Sequence, residues 1–510
     1  MFLERKMSIY KLFSILMLVF LLGDFNGSII EAANVKSKSN PLVLVSKGKA
    51  KRILKFKKEA FQQIDQFSEE LIRTARQIWE FAEIAMEEYK SSKLLAQLLK
   101  DNGFNVEFGA GGLPVAFVAT YGQGRPVIGI LGEFDALPGL SQKADSVTQE
   151  PITRGEPGHG CGHNLFGTAS AGAAIAIKTI MQQHKLKGTI KFFGCPAEET
   201  VEGKTYMARD GVFSGLDVCL DWHPSSKNQV SLKTSNALNS FEVIFFGKTS
   251  HAAGDPWNGR SALDAVELMN HGVNCLREHV PPTVRIHYVI PEAGKAPNVV
   301  PDYAKVWYYV RGKDRQEVEE VYARVLKITE GAVLMTETSH RIHVITGVYN
   351  YLKNKVVATV LHHNLQLVGL PSFTPEEQEF ARQLQRNFGK KEEGMSTVIE
   401  PFSEPKEYIG GGSTDAADVS WLVPTASFNV ACWPLHTPGH SWGVVSCSGS
   451  PVGFKGMVTA AKVFSGAAID FLLNPKLIQE AQKEFKEKTK DFVYKCAIPE
   501  NQKPRIGDKR

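Results

Sequence analysis

The sequence predicts an α/β protein in which a main domain with a mostly parallel sheet carries an inserted ferredoxin-like domain of βαββαβ order. Three observations lead there. Short apolar runs at 126–131, 188–193 and 217–220 alternate with helical stretches and each delivers a polar cluster at its end, the pattern of strands buried on both faces of a doubly wound sheet. From about residue 236 the order changes to strand, helix, strand, strand, helix, strand, that of a small independent sheet. The length, 510 residues, exceeds what one hydrophobic core supports.

The elements follow in order. Arg5, Lys6 and Lys11 precede the apolar run 12–22, and Gly27, Ser28, Ala32 and Ala33 follow it, the layout of a secretory signal peptide over 1–33. That run is short for a transmembrane span, an uncleaved anchor being the alternative, and no other stretch reads as long and apolar enough to cross a bilayer. The expected compartment is secreted, periplasmic or lumenal, where disulfides are permitted. Seven cysteines leave one over, which a metal-bound Cys161 would account for, and their wide spacing is not that of a disulfide scaffold. The basic residues of 47–58 are expected to form a solvated helix face.

Two amphipathic helices are expected over 59–102, broken near 86–89. Gly109 to Gly112 resembles a phosphate loop but lacks the GxGxxG spacing before a helix, so a turn is expected there. Residues 164–184, rich in Ala and Gly, read as a helix able to pack closely on a sheet. The inserted domain comprises strands at 240–246, 283–290, 303–310 and 341–345 and helices at 261–280 and 316–336. The main domain thus takes 50–235 and 351–480, the insert 236–350, and a charged helix with a loose tail ends the chain over 481–510. A net charge of +5 is small for this length and gives no reason to expect a nucleic-acid partner. The proportions of hydrophobic and charged residues, 43% and 22%, exclude collagen, coiled coil and general disorder.

Chemistry concentrates at the strand ends, where α/β sheets bind ligands. His159-Gly160-Cys161-Gly162-His163-Asn164 carries three possible metal ligands. Residues two apart on extended backbone project to one side, so Cys161 and His163 can face one ion, and a thiolate with an imidazole suits a transition metal. The glycines let the backbone turn tightly. Glu133 and Asp135, Glu198 and Glu199, and His223 fall on the same rim. Adjacent carboxylates at a metal divide the work: one ligates while its neighbour takes a proton from water. His436 and His440 lie four residues apart in the final third.

In GILGEFDALPGLSQ (129–142), GHGCGHNLFGTA (158–169), GCPAEE (194–199), DWHP (221–224), SHAAGDPWNGRSALDAV (250–266), PNVVPDYA (297–304), STDAADVSW (413–421) and LHTPGHSW (435–442) the chain resembles the aminoacylase and carboxypeptidase-G-like binuclear metallopeptidases, in the amidohydrolase branch with a Cys-Gly-His turn. The likeness extends over about residues 60–490. It implies that Cys161, His163, Glu199, His223 and His440 hold two divalent ions, zinc or manganese, with His436 the fallback for the last position. It implies Glu198 as general base and Asp135 as the aspartate that orients the ligands. His251 would reach the reacting carbonyl, in this chain or a neighbouring one, and Asn298 and Arg311 would hold the substrate's carboxylate. The insert would be a lid and homodimerisation domain.

Asn164 stands where many relatives have aspartate, and either Asp415 or Asp418 matches the family's late acidic position. The implied reaction is hydrolysis of a small-molecule amide, p-aminobenzoyl-glutamate or a related N-acyl-glutamate, by an activated water. A dipeptidase or N-acyl-amino-acid hydrolase is the alternative within enzymes, and a catalytically silent binding protein the alternative outside them. Retention of Glu198 beside the ligand set argues against the last, since a binding module needs no general base.

Overall fold

The computed structural model describes residues 46–405, 408 and 410–506; the expected signal peptide lies outside them. The first elements are helices α1 (Lys47–Phe81) and α2 (Tyr89–Asp101), then strands β1 (Asn105–Phe108), β2 (Phe117–Gln123) and β3 (Val127–Glu133). Helix α3 (His163–Gln183), β4 (Gly188–Cys195), α4 (Gly203–Arg209), β5 (Val218–Ser225) and β6 (Gln229–Val230) follow. Next come β7 (Ala237–Phe246), α5 (Ala262–Leu276), β8 (Arg285–Glu292), β9 (Tyr303–Gly312), α6 (Arg315–Thr336) and β10 (Ser339–Val348). The last are α7 (Lys355–Val368), α8 (Pro375–Asn387), α9 (Ala416–Ser420), β11 (Thr425–Ala431), α10 (Trp442–Ser448), α11 (Pro451–Leu473) and α12 (Pro475–Lys488).

The larger sheet has seven strands in the order β1-β2-β4-β3-β5-β11-β6. Its centre, β4-β3-β5-β11, is parallel. Its margins are antiparallel: β1 and β2 at one side, β6 at the other. The turn expected at 109–112 joins β1 to β2, two strands to which the sequence reading assigns no element. Helix α3 packs on β3 and is covered by α1 and α11. Its small residues permit this approach, since a Cβ on Gly167 would stand 2.5 Å from the Glu133 carbonyl oxygen.

Two expectations change with packing. The basic face of 47–58 is not wholly solvated: Lys57 is fully buried, its Nζ 2.6 Å from Asp470 Oδ2 of α11. Burial works to lower its pKa, while Asp470 opposes the loss of charge. And α11 is, against the reading of the sequence, long and apolar enough to span a membrane by composition. It is a core helix, buried against α1, α3 and α7.

The smaller sheet, β10-β7-β9-β8, is antiparallel throughout. Helices α5 and α6 cover one face and enclose a hydrophobic cluster separate from that of the larger sheet. Strand β9 alternates strictly, with Ala304, Val306, Tyr308 and Val310 buried. The same period-two rule sends Tyr309 and Arg311 to the opposite face.

The end of the chain is not loose through residue 506. Tyr494 donates to Asp418 at 2.6 Å, Gln502 to the Val344 carbonyl at 2.6 Å, and Arg505 pairs with Glu242 at 3.0 Å. Ile498 is buried. This segment therefore fastens the small sheet to the α9 region. All seven cysteines are free thiols.

Candidate metal centre and its cavity

The polar groups converge because the strands that carry them are neighbours. β3 leads into Glu133 and Asp135, β4 into Glu198 and Glu199, and β5 carries His223. The turn before α3 supplies Cys161 and His163. Gly162 adopts φ +76°, a region costly for other residues, and a Cβ on Gly160 would meet Leu140 Cδ1 at 2.5 Å. The late loop reaches the same turn through a backbone bond from His440 N to Gly160 O at 3.1 Å.

Three groups of ligand atoms lie within 4.8 Å of one another: Cys161, His163 and His223; Cys161, Glu199 and His440; Glu133, His163 and Glu198. The first two share the thiol. Two of the histidines are oriented from behind. His223 Nδ1 donates to the Pro224 carbonyl at 2.7 Å, which turns Nε2 to Cys161 Sγ, 3.3 Å away. His163 Nδ1 meets Asp135 Oδ1 at 2.8 Å, and Asp135 Oδ2 accepts the Glu199 N–H at 2.8 Å. One carboxylate thus fixes two members of the cluster. His440 Nε2 lies 3.6 Å from Glu199 Oε2.

The residues fit a metal. Glu133 Oε2 and His163 Nε2, 3.2 Å apart, and Glu199 Oε1 are buried with no hydrogen bond of good geometry, a cost that a cation would remove. Burial pushes the Cys161 thiol up and raises Glu199 to about 8, while burial and the neighbouring His163 bring His223 down to about 3. His163 itself rises, because Cys161 and Asp135 outweigh its burial, and Asp135 falls because His163 outweighs its own. A bound cation would favour the thiolate and the carboxylate, releasing protons as it entered.

Other predicted residues are distributed unevenly. His159 is buried and donates from Nε2 to the Ile78 carbonyl at 2.9 Å, outside the cluster. His436 is turned away and pairs with Glu393 at 2.7 Å. Asn164 donates to the Ala75 and Ser448 carbonyls, joining α1 to the end of α10. Asp415 contacts Lys204, whereas Asp418 accepts from Tyr494 and from the Tyr349 N–H. His251 and Asn298 lie on adjoining exposed loops, where the Ala252 N–H bonds the Asn298 carbonyl, and neither lines the cavity beside the cluster. His251 Nδ1 accepts from the Ala253 and Gly254 N–H groups, which leaves Nε2 as the proton-bearing nitrogen.

Three buried groups have roles that the sequence does not reveal. Glu133 reads there only as one of a strand-end pair, yet it joins the third ligand group. Lys204, fully buried, lies 2.7 Å from Glu133 and 2.5 Å from Asp415. Burial opposes its charge, but the two carboxylates outweigh it and raise its pKa. Glu88 accepts the Ala197 N–H at 2.8 Å and holds the turn before Glu198. A glutamate at a helix start and a lysine after a loop carry no local signal of such partners.

A cavity of about 900 Å³ opens from the cluster. Cys161, Glu198, Glu199, His223 and His440 belong to its lining, as do Lys233, Lys353 and Arg311. Burial lowers Lys353 to about 8, Asp221 opposing and Lys233 assisting.

A strand-end cluster of thiol, imidazole and carboxylate on a mixed α/β sheet, opening into a cavity, describes a metal-dependent amidohydrolase. The pattern of peptidase family M20/M25/M40 matches residues 129–494. The chain belongs to that family. It is 39% identical to a p-aminobenzoyl-glutamate hydrolase chain of Escherichia coli strain K12, over 84% of this chain and 95% of the relative. It is 28% identical to the Xaa-Arg dipeptidase of Mus musculus, over 85% and 93% of the two chains. In fold it is similar to a dinuclear metal-binding M20 peptidase of Bacillus subtilis, with a TM-score of 0.53 at 17% identity over 80% of this chain and 99% of the other.

Proposed function

We propose that the chain hydrolyses the amide bond of an N-acyl amino acid, p-aminobenzoyl-glutamate or a related N-acyl-glutamate, with Glu198 as general base. The observation that carries this is the pair of ligand triads sharing Cys161, with Glu198 on their rim beside His163, at 3.8 Å. The 39% identity to the Escherichia coli hydrolase supports the choice of substrate. Cys161, His163, Glu199, His223 and His440 are the residues that would hold two divalent ions, zinc best suited to the thiolate and manganese the alternative. Such ions, when bound, acidify water and polarise a carbonyl.

The chain's own groups do the rest. Glu198 takes a proton from the attacking water as the oxygen–carbon bond forms, then delivers it to the leaving nitrogen as the carbon–nitrogen bond breaks. Asp135 keeps His163 and Glu199 in register throughout. Arg311, whose Nε lacks a partner, receives the substrate's α-carboxylate. His251 presents Nε2–H to the carbonyl oxygen. Because His251 and Asn298 lie away from this chain's own cavity, both are assigned to a neighbouring copy's site.

That assignment requires a homodimer through the small sheet, residues 236–350, acting as a ferredoxin-like lid and dimerisation domain inserted into the catalytic domain. Strand β8 supports it, being an edge strand with exposed Val289 and Ile290. Sedimentation at micromolar concentration tests the dimer. On the same footing the N-terminal layout assigns an exported or lumenal compartment, which N-terminal sequencing of the mature protein tests.

Glu198→Gln tests the mechanism. Metal content, measured by elemental analysis, is expected to stay unchanged while turnover falls by about a hundredfold or more. Full activity in the variant would overturn the role.

A further inference from the structure

The cavity lining holds three cations, Lys233, Lys353 and Arg311, besides the carboxylates and thiol of the cluster. Lys353 adjoins Lys233 and Asp221, and Asp221 already accepts from Tyr351 Oη at 3.0 Å. Lys227, the other cation in the lining, is matched by Glu400 at 3.1 Å. Among the described residues neither Lys233 nor Lys353 has a carboxylate within ion-pair distance. Lys353 Nζ instead donates to the Ser231 carbonyl at 3.0 Å and lies 5.2 Å from the centre of the Tyr351 ring. Arg311 has a long contact, 3.5 Å, to Ser413 Oγ and lies 5.3 Å from the centre of the Tyr309 ring.

Half-buried cations brought together without counter-charge repel one another and have lost part of their hydration, a cost that an anion recovers. The spacing suits one molecule that reaches the cluster and the lysines together. Asp221 and His223 are two residues apart on β5, hence on one face and about 7 Å apart. The lysines beside Asp221 therefore begin within the length of an amino-acid side chain from the cluster.

We infer that Lys233 and Lys353 form the subsite that receives the side-chain carboxylate of an N-acyl dicarboxylic amino acid, with Arg311 left for the α-carboxylate. This rests on the reading of the cluster as a hydrolytic centre. Two carboxylates match the excess of cations in the lining. A leaving residue with a guanidinium or ammonium side chain would instead meet the like charges of Lys233 and Lys353, so the pocket selects against the arginine for which the Mus musculus relative is named.

The test compares p-aminobenzoyl-glutamate, its glutamine analogue and a dipeptide ending in arginine, using the full chain with zinc and then Lys233→Met, Lys353→Met and the double variant. Binding of glutarate, a dicarboxylate with no amide to cleave, is measured in parallel by calorimetry. The wild type is expected to favour glutamate over glutamine. The double variant is expected to lose on the order of tenfold to a hundredfold in kcat/KM for glutamate, chiefly through KM, with little change for glutamine. Glutarate affinity should fall by a similar factor, and Lys353→Arg should retain most of it.

Equal losses for both substrates, or wild-type cleavage of the arginine dipeptide as fast as the glutamate amide, would overturn the subsite. If the wild type cleaves none of the amides, the hydrolytic reading fails by itself, and glutarate then decides the subsite. Weakened binding in the variants upholds it; unchanged binding sinks it.

Discussion

Lys204 illustrates how a single side chain sustains the candidate metal centre from behind. Its ammonium touches Glu133 and Asp415, and both carboxylates are as inaccessible as the lysine. Lys204→Met would leave two buried carboxylates without their cation. Breaking such an arrangement from one side costs about 3–5 kcal/mol, so denaturant unfolding of the metal-free protein should reveal a loss of that order. A loss below about 1 kcal/mol would show the pair to be dispensable. Cys161, His163, Glu199 and His223 were legible because each follows an apolar run or sits two residues from its neighbour, whereas His440 was preferred to His436 only through the family resemblance of its segment. Lys204 was not legible, since Asp415 is supplied by a segment more than two hundred residues away. A distance of that kind leaves no trace in local spacing.

At the scale of elements, the parallel strands β3, β4 and β5 were readable as continuous apolar runs, and the small sheet's strands and helices as alternating periods. Strands β1 and β2 were not, because β1 has a mostly exposed burial pattern and glycines flank both. The segment after α12 reads as loose from its charge, yet Tyr494 hydrogen-bonds Asp418 and Ile498 is buried. Asp418 carries a consequence of its own. Burial raises its pKa to about 7, against the pull of Tyr494, the Tyr349 N–H and Arg315, with Asp415 adding to the rise. The folded state thus binds a proton that the unfolded state, near 3.9, gives up sooner. Stability is fullest at low pH for this group and falls as pH rises from about 4 to about 7, by up to about 1.4 kcal/mol per unit. Asp418→Asn should flatten that part of the stability–pH curve, measured by denaturant unfolding of both proteins. An unchanged slope would remove Asp418 as its source.

For the whole molecule, the cluster draws on both stretches of chain that flank the small sheet, so metal occupancy and folding should be linked. A ligand that binds the folded state alone stabilises it by about 2.7 kcal/mol when present at a hundred times its Kd. Chelation is therefore expected to lower Tm, and zinc to restore it; identical melting with and without chelator would separate the cluster from any tight ion. The parallel order of the central sheet has a further consequence for synthesis. Cys161, His163, Glu199 and His223 leave the ribosome early, but His440 follows only after the small sheet and α8 have been made. Until then the nascent chain holds an incomplete cage with its thiol open to oxidants and stray ions. The cage closes only once translation has passed the whole intervening chain.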